Sequence, residues 1–355
     1  MTQKGQSNHY NVKFLKGYGF SIKVKDNKLV FKDTHDPFNE PITEEYYITN
    51  LPYEKIVLSG KGYISTEALG LLCENNRNVI LCDTYGKPIS YMNPVMESWT
   101  ATKYRMGQYD TFRIPEKKRY LTKQIVKGKT ESQIRFLEST KNPEVEEGIQ
   151  ILKDSLIQIN KKPLANEAKL GRRYFIEYAK LIPEKYGFTS RNQSSIKISK
   201  NNATDVINAL LNYGYCILAS EISKYINAVG LDAYYGFYHT QHVGFQPLVY
   251  DIIEPFRWLV DYSVYKIANS ESKGQYIREK DYAHTRKGLV VMEYDLIRRF
   301  LELLERTFQK ERRYAFIHGV KTKNGLKSCQ EITIAKICVQ NLANFCTGKQ
   351  KEFRI

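Results

Sequence analysis

The sequence has no Cys-x-x-Cys pair, no internal repeat, no low-complexity tract and no apolar run approaching the roughly 18 residues that a membrane span requires. The first absence argues against a zinc ribbon or a dithiol redox centre. The six cysteines, at 73, 82, 216, 329, 338 and 346, stand mostly among apolar neighbours, so buried free thiols are expected. The second and third argue against a solenoid and a disordered chain. The N-terminal segment lacks the apolar core of a signal peptide, which makes a cytoplasmic protein the expectation. No lipidation signal or amphipathic basic helix is evident either, so no membrane partner is expected. Acidic residues are scarce relative to basic ones: 38 Asp and Glu face 54 Lys and Arg, a net charge of +16. Together with 27 tyrosines, that surplus points to a polyanion, because each cation set against a phosphate releases condensed counterions. Apolar residues make up 42% and charged residues 26% of the 355, an ordinary globular balance over a length suited to two domains.

The first ninety or so residues have strand character. Phe20, Ile22 and Val24 alternate with polar neighbours up to Asp26-Asn27, and Leu29, Val30 and Phe31 follow, which predicts a hairpin. Further short apolar runs at 45–48, 55–58 and 78–82 predict more strands. Ser65 is placed to cap a short helix over 66–72. After Asn93-Pro94 the apolar period changes to three and four, at 120–126, 134–137, 149–159, 174–181, 206–229, 248–268, 289–308 and 332–346. The segments 184–202 and 270–281 read as loops. The expected fold is therefore α+β: a small β-rich domain over 1–93, a linker over 94–104 and a larger all-α domain over 105–355.

The richest chemistry lies between Gly236 and Arg257, where His239 and His242 precede Asp251 and Glu254. Acids three apart share a helical face, and on an otherwise apolar helix they need a positive partner. Pro255 implies a kink or a helix start. The readings that remain open are a metal site, an ion pair of Glu254 with Arg257 or Lys266, Asp251 as a helix cap, and two ordinary loop histidines.

Several stretches share order and spacing with a known family. In the first half these are 56–69, 79–83 and Gly86-Lys87-Pro88. In the second they are Val126-Lys127-Gly128-Lys129 with Gln133, 167–175, 205–215, Gly236-Phe237-Tyr238-His239 and 251–257. Through them nearly the whole chain resembles the CRISPR-associated integrase family, which captures DNA during spacer acquisition. The resemblance implies a divalent cation, Mg²⁺ or Mn²⁺, bound by Glu167, His239 and Glu254, with Asp251 as an acidic catalytic neighbour and His242 as the alternative nitrogen donor. Oxygen donors with one imidazole suit such a cation better than a thiolate-seeking metal. A solvated helix face is the competing reading of Glu167.

The implied reaction joins the 3′-hydroxyl of a captured fragment to a phosphodiester of the repeat array. Lys127, Lys129, Arg172, Arg173 and Arg191 are candidate contacts to double-stranded DNA. Tyr213 and Tyr215 are candidates for stacking on frayed ends, with core packing as their alternative. A homodimer formed through the β-rich domain and a small ferredoxin-like adaptation subunit are implied partners. The competing readings are a stand-alone integrase of the casposon type, which would carry a further C-terminal domain not expected here, and a DNA-binding scaffold without catalysis.

Overall fold

The computed structural model describes residues 12–34, 40–83, 88–92, 99–157, 163–191, 203–240, 245–272, 275–315 and 326–355. Six strands form one sheet in the order β3-β2-β1-β4-β5-β6: β1 Val12–Lys25, β2 Lys28–Asp33, β3 Ile42–Tyr46, β4 Lys55–Ile64, β5 Asn78–Cys82 and β6 Pro88–Met92. The turn between β1 and β2 places Asp26 and Asn27 at φ 50° and 59°, the pair of left-handed residues that matches strand twist in a tight hairpin. The parallel β1-β4-β5 centre is buried on both faces, because successive side chains point to opposite sides. Leu15, Ile56, Leu58 and Val79 join Ala68 and Leu72 of helix α1, Thr66–Glu74, in one core. Phe14, Val57 and Ile80 enter the core of the helical region instead. Ser65 caps α1 as expected, its hydroxyl accepting from Ala68 N at 3.2 Å.

Among the described residues the helical region comprises α2 Trp99–Arg113, α3 Pro115–Thr140, α4 Glu146–Ile157, α5 Pro163–Lys180, α6 Val206–Val229, α7 Pro247–Ile253, α8 Trp258–Ala268, α9 Tyr294–Gln309 and α10 Glu331–Cys346. The buried helix α6 lies at its centre, capped by Asp205, whose carboxylate accepts from Asn208 N at 2.7 Å. Helix α8 crosses α6 at Gly214, where a Cβ would stand 2.4 Å from Val260 Cγ1. No helix among the described residues is long and apolar enough to cross a membrane. All six cysteines are free, and four of them are buried.

Three expectations need correction. The stretch 94–104 is helix from Trp99 onward rather than linker throughout. The region is helical but not all-α: it carries two two-stranded antiparallel ribbons, β7 Tyr282–His284 with β8 Val290–Met292, and β9 Glu311–Tyr314 with β10 Lys327–Gln330. The apolar run at 289–308 thus splits, since Val290 and Val291 pair with β7 before α9 starts. Within the expected loops, Glu184–Tyr186 and Glu279–Asp281 each form a 3-10 turn.

Sheet and helices are joined by polar contacts as well as by packing. Lys55 and Asn78 are register partners on β4 and β5. The Lys55 ammonium lies 2.8 Å from Glu305 Oε2 and 3.5 Å from Glu221 Oε1, while Asn78 Nδ2 donates to Ser220 Oγ at 2.7 Å. Burial works against the Lys55 charge, but Glu221 and Glu305 outweigh it and raise its pKa. Lys55→Ala would strand buried Glu221 and partly buried Glu305, so urea unfolding should report a loss of about 3–5 kcal/mol; a loss below about 1 kcal/mol would mean that this ion triad does not hold the sheet to the helices.

Candidate active site

Two sequence-predicted acids, Glu167 and Glu254, meet at one ammonium group, and His239 and Asp251 stand beside Glu254. Helix α5 carries Glu167, the loop after α6 carries His239, and α7 carries Asp251. At Pro255 the backbone tightens into a 3-10 turn, Glu254–Phe256, before continuing as α8. This resolves the two expectations for Pro255 as a kink, since proline lacks the amide donor that an unbroken α-helix needs. The turn packs on α3, which brings Glu254 to Lys129.

Asp251 is fully buried and does not face the ammonium. Its carboxylate accepts from the backbone N–H groups of Phe237, Tyr238 and His239 at 2.7, 3.1 and 2.8 Å, and its Oδ1 lies 2.8 Å from His239 Nδ1. A carboxylate partner assigns the ring hydrogen to Nδ1 and leaves Nε2 as an acceptor, the arrangement that orients a metal-binding imidazole. Nε2 points toward Glu254 Oε1 at 4.0 Å. Gly236 permits the loop to wrap Asp251 so closely, since a Cβ there would lie 2.7 Å from Asp251 Oδ2. Asp251 therefore fixes the His239 ring and the backbone of its loop.

Glu254 is 4% exposed through its side chain, and its two oxygens have different partners. Oε1 accepts from Arg257 Nε and Nη2, both at 2.9 Å. Oε2 lies 2.8 Å from the Lys129 ammonium, yet no donor reaches it in hydrogen-bond orientation. The same ammonium stands 2.5 Å from Glu167 Oε1, and the Tyr238 hydroxyl also bonds Glu167. Burial alone would raise the Glu254 pKa, but the Arg257 and Lys129 charges overcome it and lower it to about 2. Lys129 is affected reciprocally: burial opposes its charge, while Glu254 and Glu167 raise its pKa overall.

Behind this cluster Asp261 is enclosed by aromatic hydroxyls. Tyr215 donates to Oδ1 at 2.5 Å, Tyr174 to Oδ2 at 2.7 Å and Tyr178 to the Asp261 carbonyl at 2.8 Å. Burial pushes its carboxyl up to about 6 despite the Tyr215 and Tyr174 hydrogen bonds. Arg257 lies over the Tyr215 ring at 4.5 Å and so joins Asp261's cage to Glu254.

The candidate DNA contacts separate clearly. Lys127 and Arg172 are exposed, Lys127 within 3.7 Å of Glu131. Arg173 is bound to buried Glu177 at 2.7 Å. Arg191 donates to Asn208 and Asn212 at 2.6 and 2.9 Å and lies over Phe175 and Tyr215, which makes it a brace rather than a free cation. Lys129 is enclosed by carboxylates instead of facing outward. Tyr213 is 1% and Tyr215 7% exposed, Tyr213 edge-on to Phe14. Both are core residues, which corrects the stacking expectation in favour of its alternative. His242 and the segment 192–202 lie outside the described residues.

A divalent cation fits the donor chemistry here. Two carboxylates, an oriented imidazole nitrogen and a buried carboxylate oxygen without a directional hydrogen bond surround a position already suited to positive charge. In the present arrangement, however, no three His, Cys, Asp or Glu side chains among the described residues stand close enough to hold a metal, because the ammonium lies between Glu167 and Glu254.

The family described as CRISPR associated protein Cas1 matches residues 14–306. An Archaeoglobus fulgidus CRISPR-associated endonuclease Cas1 is 27% identical over 319 residues, covering 83% of this chain and 87% of its own. A Methanobrevibacter ruminantium CRISPR-associated protein Cas1 is 28% identical over 274 residues, covering 72% and 78%. Among solved structures, a casposase bound to integration product aligns with TM-score 0.81 and 25% identity over 97% of this chain and 92% of that one. A Thermotoga maritima Cas1 protein aligns with TM-score 0.73 at 16% identity over 96% and 98%, a likeness of fold.

The Glu254 shift has a sign that can be tested. A carboxyl held below its ordinary pKa contributes stability that is fully present above about pH 4.5 and is lost as pH falls through about 2. At neutral pH this is worth about 3 kcal/mol. Urea unfolding at a series of pH values should show Glu254→Gln less stable than the parent by about that amount at pH 7, with the gap closing in acid. A gap independent of pH would separate the stability effect from the carboxylate charge.

Proposed function

The chain belongs to the Cas1 family, and from that premise we propose that it is a metal-dependent DNA integrase and endonuclease that inserts captured fragments into a repeat array. The observation that carries the reading is the convergence of Glu167, Glu254 and the Asp251-oriented His239 in a chain of net charge +16. The names of curated relatives, CRISPR-associated endonucleases, support the enzyme class. The casposase neighbour, bound to its integration product, supports strand transfer.

In the proposed reaction the 3′-hydroxyl of the fragment attacks a phosphorus of the target strand. A new phosphorus–oxygen bond forms, the bond to the target's 3′-oxygen breaks, and that oxygen takes up a proton, so phosphodiester bonds are conserved. Mg²⁺ or Mn²⁺ held by Glu167, Glu254 and His239 Nε2 would supply charge stabilisation at the phosphoryl oxygens. Asp251 keeps the imidazole in the productive tautomer, and Arg257 fixes the rotamer of Glu254. Exposed Lys127 and Arg172 are proposed to grip DNA phosphates, which gives position without sequence choice. A homodimer through the β-rich region and a small ferredoxin-like adaptation subunit complete the proposed assembly. The fold likeness to a chain of a Cas6-RT-Cas1–Cas2 complex, TM-score 0.75 at 19% identity, is compatible with that arrangement.

A second reading, a stand-alone integrase of the casposon type, is favoured by one observation: the casposase alignment spans 92% of that chain. Integration that proceeds without any adaptation subunit would support it.

Strand transfer of a short duplex into supercoiled plasmid with Mn²⁺ tests the catalytic assignment. Glu167→Ala and Glu254→Ala should reduce integration to background while duplex binding persists, and Asp251→Asn should lower it by about 10–100-fold. Equal integration by the parent and both alanine variants would remove the catalytic reading and leave a DNA-binding scaffold.

A further inference from the structure

One side chain in the site is not needed by the chemistry above and is placed more exactingly than a surface lysine. Lys129 sits on the inward face of α3, four residues after buried Ile125 and four before buried Gln133. Its ammonium touches one oxygen of Glu167 and one of Glu254, carboxylates that belong to different elements. Two acids converging without a cation repel each other strongly where water is scarce. The ammonium therefore holds the protein's half-built cation site together before any metal arrives.

We propose that Lys129 is an internal counter-cation that a divalent ion must displace, and that the released ammonium pairs with a phosphate of bound DNA, so that metal and DNA bind cooperatively. This rests on the metal reading given above. Three features support it. Glu167 Oε1 and Glu254 Oε2 are the two oxygens that a departing ammonium would vacate, and Glu254 Oε2 has no hydrogen bond to replace it. Arg257, by contrast, holds Glu254 Oε1 through two nitrogens and lies over Tyr215, so it stays while Lys129 moves. A lysine is a point charge on four rotatable bonds, suited to such an exchange, whereas a guanidinium fork is not. Finally, the site opens outward: the Glu167 and His239 side chains are 23% and 31% exposed, which gives the ammonium a short route to an arriving phosphate.

The coupling is reciprocal, as any linkage between two binding events must be. Mn²⁺ titration of the full chain by calorimetry, with and without a short duplex, reads it directly. Lys129→Met keeps the stem and removes the charge. It should bind Mn²⁺ at least about tenfold more tightly than the parent without DNA, and duplex should tighten Mn²⁺ binding by the parent but not by the variant. Its thermal midpoint should fall below the parent's in chelator and recover with saturating Mn²⁺, which also establishes that it is folded. Weaker or unchanged Mn²⁺ binding by Lys129→Met, while Glu254→Gln abolishes binding, would overturn the counter-cation role and leave the metal reading standing. Mn²⁺ binding that is absent from the parent, or untouched by Glu254→Gln, would overturn both.

Discussion

A buried carboxylate can persist only where cations are brought to it, and Glu254 is the place where this constraint organises the molecule. One of its oxygens is hydrogen-bonded from its own turn by Arg257, and the other faces the Lys129 ammonium from α3 as an ion pair. The second pairing makes α3 pack against the 3-10 turn after α7, and Lys129 in turn draws α5 in through Glu167. Three separate segments thus converge because one acid is out of water. Replacing any member by a neutral group leaves charge uncompensated in a low-dielectric setting, where the loss exceeds what the pair itself contributes.

The second layer is built to resist that convergence slackening. Arg257 is gripped by Glu254 on one side and by the Tyr215 ring on the other, and Tyr215 is anchored on Asp261 together with Tyr174. Tyr174, Tyr215 and Asp261 are held from α5, α6 and α8, and Glu254 and Arg257 from the turn that leads into α8. On the opposite side Asp251 gathers three consecutive amides of the histidine loop, so the imidazole is carried by backbone as well as by its own hydrogen bond. Rigid support of this kind is what allows a short acidic and imidazole set to keep its geometry in a loop-built site.

Local patterns in the sequence made much of this legible. The strand at 78–82 and the helix at 206–229 have the boundaries that their apolar runs imply, because each is buried enough for hydrophobicity alone to mark it. The ribbon strands Glu311–Tyr314 and Lys327–Gln330 are short, charged and exposed on one side, so neither period nor composition distinguishes them from loop. In the site, the acids and His239 were recognisable by motif, but their partner was not. By sequence Lys129 is one more candidate DNA contact, although a lysine in line with Ile125 and Gln133 on an inward stripe demands an opposite charge. Its partners lie in distant segments, and no local spacing reveals them. Tyr213 and Tyr215 illustrate the reverse case: an aromatic pair is open to base stacking or to core packing, and burial in α6 decides for the core.

The turn at Pro255 also fixes how this site can change over time. Asp251 and Glu254 approach the same imidazole from its two nitrogens, which requires their side chains to be offset by one short turn of backbone. Each residue of a helix rotates the following side chains by about 100°. A single insertion between Ile252 and Ile253 would preserve every residue named here, yet it would swing Glu254 away from Lys129 and His239 together. A substitution in this segment removes the contacts of one side chain, whereas a change in its length displaces several side chains together. Descent in such a protein is therefore expected to conserve the count of residues here as strictly as their identity.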